Sequence, residues 1–144
     1  MITSALENLF QRYLTAFKCY DLSTLTQCYQ LPCTLHTPDK VAYLASESDF
    51  EQEILQIFAV LQQAKISDIN ITKATYSESV NGAVDVCIDW LFYDEHGEVF
   101  ADFCAFYHIT NIEQEFKIMS VVSHELTNSV ELAENISARL STLK

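Results

Sequence analysis

The sequence predicts a single α+β domain in which helices come first and an antiparallel sheet follows. Apolar residues recur at helical spacing as far as Ala64, and from Ile66 onward they follow the two-residue period of strands. Turn-forming residues are scarce, since 144 residues include only two glycines and two prolines, which favours long regular elements. A chain of this length is the size of one domain.

Three helices are predicted in the first half of the chain. Helical periodicity predicts an amphipathic helix from about Thr3 to Lys18. Asp21 is placed as the N-cap of a short second helix that ends near Tyr29. The segment Ser48-Asp-Phe-Glu51 matches a capping box and opens a third helix that runs to about Ala64.

The second half of the chain predicts a meander of four long antiparallel strands. A short hairpin is expected before it, and Asn81-Gly82 is a strong turn signal within it. The predicted strands are Cys33–Thr37, Val41–Ala45, Ile66–Glu78, Val84–Tyr93, Val99–Thr110 and Phe116–Ser123.

A last helix is predicted from Ser129 to Leu140, because its apolar residues repeat at helical spacing. We therefore divide the chain into a domain of residues 1–128 and a C-terminal helical extension of residues 129–144. The extension is expected to pack on the domain or on a dimer partner.

The charge of the chain excludes some partners. Twenty acidic residues and eight basic ones give a net charge of −12, and the basic residues are scattered. Nucleic acids and anionic membranes attract clustered positive charge, so neither is an expected partner. The N-terminus does not read as a signal peptide, and no apolar run is long enough to span a bilayer. Five cysteines without a Cys-x-x-Cys pair indicate reduced thiols, and a cytoplasmic location is expected.

The hairpin around Asp94-Glu-His-Gly-Glu98 fixes the predicted register of its two strands. Gly97 stands where a three-residue hairpin loop needs a left-handed residue, so we pair Asp94 with Glu98 and count back from there. A slip of one residue would move every side chain of one strand to the other face.

One face of this hairpin is almost wholly apolar and rich in large rings. It exceeds the few hundred Å² of apolar patch that a monomer usually leaves in water, so we assign it mainly to a homodimer interface. The residues assigned to the interface are Val86, Ile88, Trp90, Phe92, Phe100, Cys104, Phe106 and His108. The other face is assigned to a helix-covered cavity, although the sequence also allows the reverse assignment.

Four segments resemble the nuclear-transport-factor-2-like (SnoaL-like) superfamily. Phe10-Gln-Arg-Tyr-Leu-Thr-Ala-Phe17 and Asp21-Leu-Ser-Thr-Leu25 are similar to its first helix and to the aspartate that opens the next. Cys33-Thr-Leu-His-Thr-Pro38 resembles its first strand, and Asp94-Glu-His-Gly97 its central hairpin. The likeness implies a cystatin-like cone, in which N-terminal helices pack on a strongly curved antiparallel sheet.

Members of this superfamily include steroid isomerases, polyketide cyclases, epoxide hydrolases, dehydratases and non-enzymatic binding or assembly domains, so the fold does not set the function. The resemblance to the isomerases places their catalytic tyrosine at Tyr13, which is present. Their general-base aspartate falls at Thr37, and their second, protonated acid falls near Ala105. Two of the three groups are missing, so isomerase chemistry of that type is not expected.

Asp89 is the candidate catalytic residue. The predicted register puts it on the cavity face, where burial disfavours the charged form of a carboxylate, as a general acid or base requires. The alternative is a solvated or hydrogen-bonded carboxylate at the cavity mouth.

The predicted ligand pocket is largely aromatic. Its hydroxyl groups could orient a ligand or be satisfied core groups, and His36 could face the cavity or be structural. The residues assigned to it are Tyr13, Phe17, His36, Tyr43, Phe58, Cys87, Leu91, Phe103 and Tyr107. The four histidines lack metal-ligand spacing and two glycines leave no phosphate loop, so no metal and no cofactor is expected.

Three functions remain open. The first is a homodimer that binds a small, largely apolar organic ligand in the cavity without turnover. The second is a SnoaL-like enzyme of isomerase, cyclase, dehydratase or hydrolase type that uses Asp89 as general acid or base. The third is a non-catalytic dimeric assembly domain whose interior is filled with side chains.

Overall fold

A computed structural model describes residues 2–136 of the chain. The predicted α+β class is confirmed, with three helices packed on one face of a sheet. The elements in chain order are α1 (Ile2–Cys19), α2 (Leu22–Gln27), β1 (Tyr29–Thr37), β2 (Lys40–Leu44), α3 (Glu47–Gln63), β3 (Ile66–Glu78), β4 (Val84–Asp94), β5 (Val99–Ile112), β6 (Glu115–His124) and β7 (Glu134–Asn135).

The sheet has the strand order β2-β1-β6-β5-β4-β3-β7. Strands β3 to β6 form the predicted antiparallel meander, whereas β1 lies parallel to β6, so the sheet is mixed rather than purely antiparallel. Register shifts interrupt four of the strand pairs. Because bulges bend and twist a strand, these shifts help the sheet to curl around the helices.

The inner face of the sheet is the one that packs on α1 and α3. Buried residues recur along one side of each helix, from Leu6 to Leu14 in α1 and from Phe50 to Leu61 in α3. This amphipathic pattern is the one that predicted both helices. Among residues 2–136, no helix is long and apolar enough to cross a membrane.

The first residues of α2 and α3 show whether the two predicted N-caps form. Asp21 caps α2 as predicted, and its carboxylate accepts from the Thr24 amide at 3.1 Å. The predicted cap of α3 was wrong by two residues: Ser46, not Ser48, accepts from the Asp49 amide at 3.2 Å. Serine stands at both positions, and sequence alone did not favour the earlier one.

The turn between β4 and β5 forms as predicted. The Asp94 amide donates to the Glu98 carbonyl at 2.9 Å, and Gly97 has the left-handed φ of 76°. The Asp94 carboxylate accepts from the amides of His96 and Glu98 at 2.9 and 3.0 Å. The loop is thus held by its own backbone and by one aspartate.

A β-bulge follows immediately in β5. Tyr93 pairs with Val99 and Phe92 pairs with Ala101, so Phe100 is an extra residue without a partner position. The pairing of Tyr93 with Val99 is the one that the turn predicted. Beyond the bulge the register differs from that prediction by one residue.

This slip reverses the predicted faces of β4. Trp90 pairs with Phe103 and Asp89 with Cys104, so the predicted register was wrong in the body of the hairpin. The inner face carries the even-numbered residues of β4 from Val86 to Phe92, while Cys87, Asp89 and Leu91 lie on the outer face. The predicted inward residues of β5 beyond the bulge, including Phe103 and Tyr107, do face inward.

The segment of residues 125–136, here the C-terminal strap, corrects another prediction. Residues 129–133 form no helix, and Glu134–Asn135 form strand β7 beside β3. The predicted helix was therefore wrong as far as Ile136, and its remainder lies outside the described residues. Three strap amides, those of Leu132, Ala133 and Ile136, donate to Thr75 Oγ1 (3.0 Å), Ser77 Oγ (3.1 Å) and the Ala74 carbonyl (2.9 Å).

Candidate functional site

A cavity of about 260 Å³ lies between the helices and the inner face of the sheet. Its walls come from α1, α3 and strands β1 and β3 to β6. The lining residues are Tyr13, Phe17, Tyr29, Leu35, His36, Thr37, Ile54, Ile57, Leu61, Ile69, Trp90, Phe92, Phe100, Ala101, Phe103, Ala105, Tyr107, Val121 and Ser123. This wall is largely apolar and, among residues 2–136, includes no carboxylate, lysine or arginine, which suits an uncharged organic molecule.

The polar groups of the inner wall form one connected cluster. Trp90 Nε1 donates to the Tyr107 hydroxyl at 3.0 Å, and the Tyr107 hydroxyl donates to the Tyr13 hydroxyl at 3.2 Å. The Tyr29 hydroxyl makes a further hydrogen bond with Tyr13. Three side chains, from β1, β4 and β5, are thus connected to the Tyr13 oxygen of α1, directly or through Tyr107.

The directions of these hydrogen bonds leave Tyr13 as a donor. Burial raises the pKa of Tyr13, and its hydrogen bonds with Tyr107 and Tyr29 oppose that rise. Because the Tyr107 hydroxyl donates to the Tyr13 oxygen, Tyr107 does not accept the Tyr13 proton in return. The Tyr13 O–H is left to donate to another group.

The same environment keeps all three tyrosines protonated. Burial raises the pKa of Tyr29 and of Tyr107 well above the ordinary value of 10.0, and the nearby Tyr13 raises both further. Neutral phenols in an apolar wall act as hydrogen-bond donors and acceptors rather than as bases.

Aromatic packing fixes the Tyr13 ring. Its centroid lies 5.0 Å from that of Phe17, 5.6 Å from that of Tyr107 and 5.8 Å from that of Trp90. The side chain is only 7% exposed. Since edge-on and tilted ring contacts restrict rotation, the hydroxyl is held in place before any ligand arrives.

The mouth of the cavity is shaped by the bulge in β5. Two consecutive residues, Phe100 and Ala101, oppose Phe92, and all three line the cavity. Phe100 remains 43% exposed. The bulge therefore adds an aromatic ring to the rim that a regular strand would have turned to the outer face.

Comparison with known proteins identifies the family. The model of a family described as NTF2-like protein (DUF6841) matches residues 4–126. The chain belongs to this NTF2-like family. The predicted superfamily and the cystatin-like cone are thereby confirmed. No curated protein matches the sequence.

Solved structures share the fold of this NTF2-like protein at low sequence identity. An NTF-2 like protein of unknown function from Shewanella oneidensis MR-1 has a TM-score of 0.69 and 14% identity, with coverage of 85% of this chain and 98% of that one. A candidate ketosteroid isomerase from Shewanella frigidimarina NCIMB 400 has a TM-score of 0.68 and 12% identity, with coverage of 83% and 94%. A protein of unknown function with a cystatin-like fold from Nostoc punctiforme PCC 73102 has a TM-score of 0.67 and 8% identity, with coverage of 82% and 86%.

The predicted pocket residues fall into two groups. The structure places Tyr13, Phe17, His36, Phe103 and Tyr107 in the cavity wall. It places four others elsewhere: Tyr43 is 65% exposed, Phe58 is buried between helices, and Cys87 and Leu91 lie on the outer face.

His36 borders the cavity at its rim. Consecutive strand side chains point to opposite faces, and Leu35 lies in the cavity wall beside Val121. The neighbouring pair, His36 and Val122, therefore has its side chains on the outer face of the sheet.

Asp89 lies on the outer face of the NTF2-like domain, beneath the C-terminal strap. It is 9% exposed, its Oδ1 accepts from the Ser129 hydroxyl at 2.5 Å, and its Oδ2 lies 3.7 Å from Lys73 Nζ. The predicted placement of Asp89 in the cavity was wrong, because the bulge reversed the faces of β4. Its observed contacts tie the strap to the sheet.

The predicted interface residues are also divided by the bulge. Val86 and Ile88 are buried in the core, while Trp90, Phe92 and Phe100 line the cavity, so these five do not lie on an outer surface. Cys104, Phe106 and His108 do lie on the outer face. Cys104 donates to the Glu125 carbonyl at 3.4 Å, and His108 Nδ1 lies 2.9 Å from Asp85.

Sequence reasoning missed the pocket roles of Tyr29 and Trp90. Tyr29 was placed at the end of the second helix, although it begins β1, and Trp90 was assigned to the outer face. Trp90 is the sole tryptophan of the chain, and a buried indole N–H needs a hydrogen-bond partner, which favours a polar cluster nearby. Within residues 2–136, no three His, Cys, Asp or Glu side chains are grouped to hold a metal.

Proposed function

We propose that this NTF2-like protein binds a small, largely apolar organic molecule through one oxygen atom that accepts a hydrogen bond from Tyr13. The observation that carries the proposal is the Tyr13 hydroxyl, which accepts from Tyr107 at 3.2 Å and so has its own proton to offer to an acceptor in the cavity. A ketone, an ester or a phenol oxygen satisfies this donor. The cavity volume of about 260 Å³ favours a compact ring compound.

Binding without turnover is the better supported use of the cavity. Proton transfer needs a group whose pKa lies near the working pH, and the lining residues include no carboxylate. Thr37 and Ala105, where the resemblance puts the isomerase acids, both line this cavity. Asp89 is on the opposite face of the sheet, so the catalytic alternative loses the residue on which it rested.

A filled assembly domain is less well supported. Such a domain would close its interior with side chains, whereas this one keeps an apolar space open beside a buried polar cluster. Mutual hydrogen bonds offset the free-energy cost of burying three phenols and an indole N–H. The Tyr13 proton is the exception, because it has no acceptor in the described wall.

A homodimer is proposed through the part of the outer face that the strap leaves open. Strand pairing places Val41, His36, Val122 and Phe106 in one row across β2, β1, β6 and β5. Val41 and its neighbour Tyr43 are each 65% exposed, and the row continues as far as the strap. An apolar row of this kind is typical of a self-complementary interface, which in stable dimers buries about 800 Å² on each partner.

Calorimetric titration with a matched pair of ligands tests the binding proposal. 1-Tetralone carries a ketone on a two-ring body, and tetralin is the same body without oxygen. We expect 1-tetralone to bind roughly three- to tenfold more tightly, the difference that one hydrogen bond typically makes. Quenching of Trp90 fluorescence gives a second readout at the site itself. Failure of both compounds to bind would contradict the proposal, and equal binding would contradict the role of Tyr13.

A further inference from the structure

The inner face of β6 contributes a single hydroxyl to the cavity wall, that of Ser123. Ser123 pairs with Ala105, which also lines the cavity, and it is half-buried. Its neighbour His124 pairs with Cys104 and belongs to the outer face. The Ser123 side chain therefore belongs to the cavity side of the sheet.

The Ser123 hydroxyl has no hydrogen-bond partner among residues 2–136. The other polar side chains of the wall, except His36, each make at least one hydrogen bond: Trp90 and the three tyrosines bond to one another, and Thr37 Oγ1 donates to the Lys40 carbonyl at 3.4 Å. Besides Ser123 and His36, only the Tyr13 proton is left without an acceptor in the described wall. Because Ser123 is only half-buried, its hydroxyl is accessible and can bond to a molecule in the cavity. Ser123 thus marks a second point, apart from the tyrosine cluster, where the wall can bond to an occupant.

We infer that Ser123 makes the second polar contact to the ligand, which is therefore a compact ring compound with two oxygen functions. This inference rests on the proposed function and deepens it. Tyr13 has its proton to offer and so selects an acceptor, whereas a serine hydroxyl donates or accepts and so also takes an alcohol or a phenol. The ligand class is a cyclic hydroxyketone rather than a simple ketone.

The spacing along the wall sets where the second oxygen lies. Tyr107 pairs with Val121, and Ser123 is two residues farther along β6, opposite Ala105. Two residues of a strand span roughly 6.6 Å, so the Ser123 backbone is offset by that length along β6 from the residue that pairs with Tyr107. We therefore choose a ligand with its two oxygens at opposite ends of a two-ring body, 6-hydroxy-1-tetralone.

Calorimetry with two ligands and three proteins tests the inference. The ligands are 1-tetralone and 6-hydroxy-1-tetralone, and the proteins are the wild type, Ser123→Ala and Ser120→Ala. The last is a matched control on the same strand, because Ser120 pairs with His108 on the outer face and accepts from Thr34. We expect the added hydroxyl to strengthen binding to the wild type roughly three- to tenfold, and Ser123→Ala to abolish that gain. Ser120→Ala should keep the affinity gain from the added hydroxyl.

The outcomes separate this inference from the proposed function. If 1-tetralone binds and the hydroxyl gives no gain, or a gain that survives Ser123→Ala, the role of Ser123 is wrong while the proposed function stands. If 1-tetralone does not bind the wild type at all, both are wrong. Loss of 1-tetralone binding in Ser123→Ala would also overturn the inference, since it would indicate damage to the cavity rather than loss of one contact.

Discussion

The Tyr107 hydroxyl donates to the Tyr13 hydroxyl across 3.2 Å and so joins the centre of the sheet to the first helix. Both side chains are buried, at 2% and 7% exposure, and Trp90 donates to Tyr107 from the adjacent strand. The pair is structural in that it satisfies buried phenols. We also assign the pair a role in binding, because it leaves the Tyr13 proton available to a ligand in the cavity.

Removal of the Tyr13 hydroxyl tests that role. Tyr13→Phe keeps the ring contacts and loses the hydroxyl, both as donor to the ligand and as acceptor for Tyr107. We expect 1-tetralone affinity to fall roughly three- to tenfold, with tetralin affinity unchanged. Calorimetry measures both. Tyr76→Phe is the control, since Tyr76 bonds Thr3 at 2.7 Å and does not line the cavity. An equal loss for both ligands would point to disturbed packing and count against the donor role.

Asp89→Ala tests the assignment of Asp89 to the outer face. The variant loses the hydrogen bond to Ser129 and the ion pair with Lys73, so we expect faster amide hydrogen exchange in the strap and a stability loss of about 1–3 kcal/mol. Affinity for 1-tetralone should not change. Asp102→Ala, at an exposed position of the outer face, serves as control. If Asp89→Ala weakened ligand binding and left strap exchange unaltered, the placement would be wrong.

Tyr43→Glu tests the proposed dimer. A carboxylate in an apolar self-complementary interface is desolvated and repels its symmetry mate, so we expect a dimer of the wild type and a monomer of the variant. Light scattering coupled to size exclusion gives the mass directly. Leu55→Glu, on the exposed side of α3, is the matched control and should leave the dimer intact. A monomeric wild type at high concentration would refute the proposal.

Stability is expected to fall in alkaline solution. Burial raises the pKa of Cys28 and of Cys33 from 9.0 to about 11, so both stay protonated in the folded state while the unfolded chain ionises. Their contribution is complete below pH 9 and is lost as the pH rises through about 11. Denaturant unfolding at a series of pH values measures how steeply the free energy of unfolding falls with pH. Cys28→Ala should flatten it, and the same substitution at the exposed Cys19 should not.

Local signals predicted local structure well. The loop from Asp94 to Glu98 formed as expected because its glycine and its aspartate define the turn by themselves. The amphipathic helices were predicted from a local signal too, because the apolar residues of their buried sides recur at helical spacing. Tyr13 could be singled out because the first helix and its resemblance both place it on the buried side.

The errors came from features that depend on the rest of the molecule. No sequence signal near Phe100 predicts a bulge. This one extra residue reverses the predicted faces of β4, so that Asp89 lies outside the cavity and Trp90 lines it. The helical spacing after Ser129 was outweighed by hydrogen bonds that the strap amides donate to Thr75 Oγ1 and Ser77 Oγ, which hold the strap in an extended form. Ser123 carries no signal of its own until its partner strand is known.

A crystal structure of the protein with 1-tetralone is the decisive test of ligand binding at Tyr13. We expect the ketone oxygen within hydrogen-bond distance of Tyr13 Oη, the rings against Trp90 and Phe103, and Asp89 on the far side of the sheet under the strap. A ligand bound elsewhere, or a carbonyl turned away from Tyr13 in an otherwise occupied cavity, would contradict the proposed function.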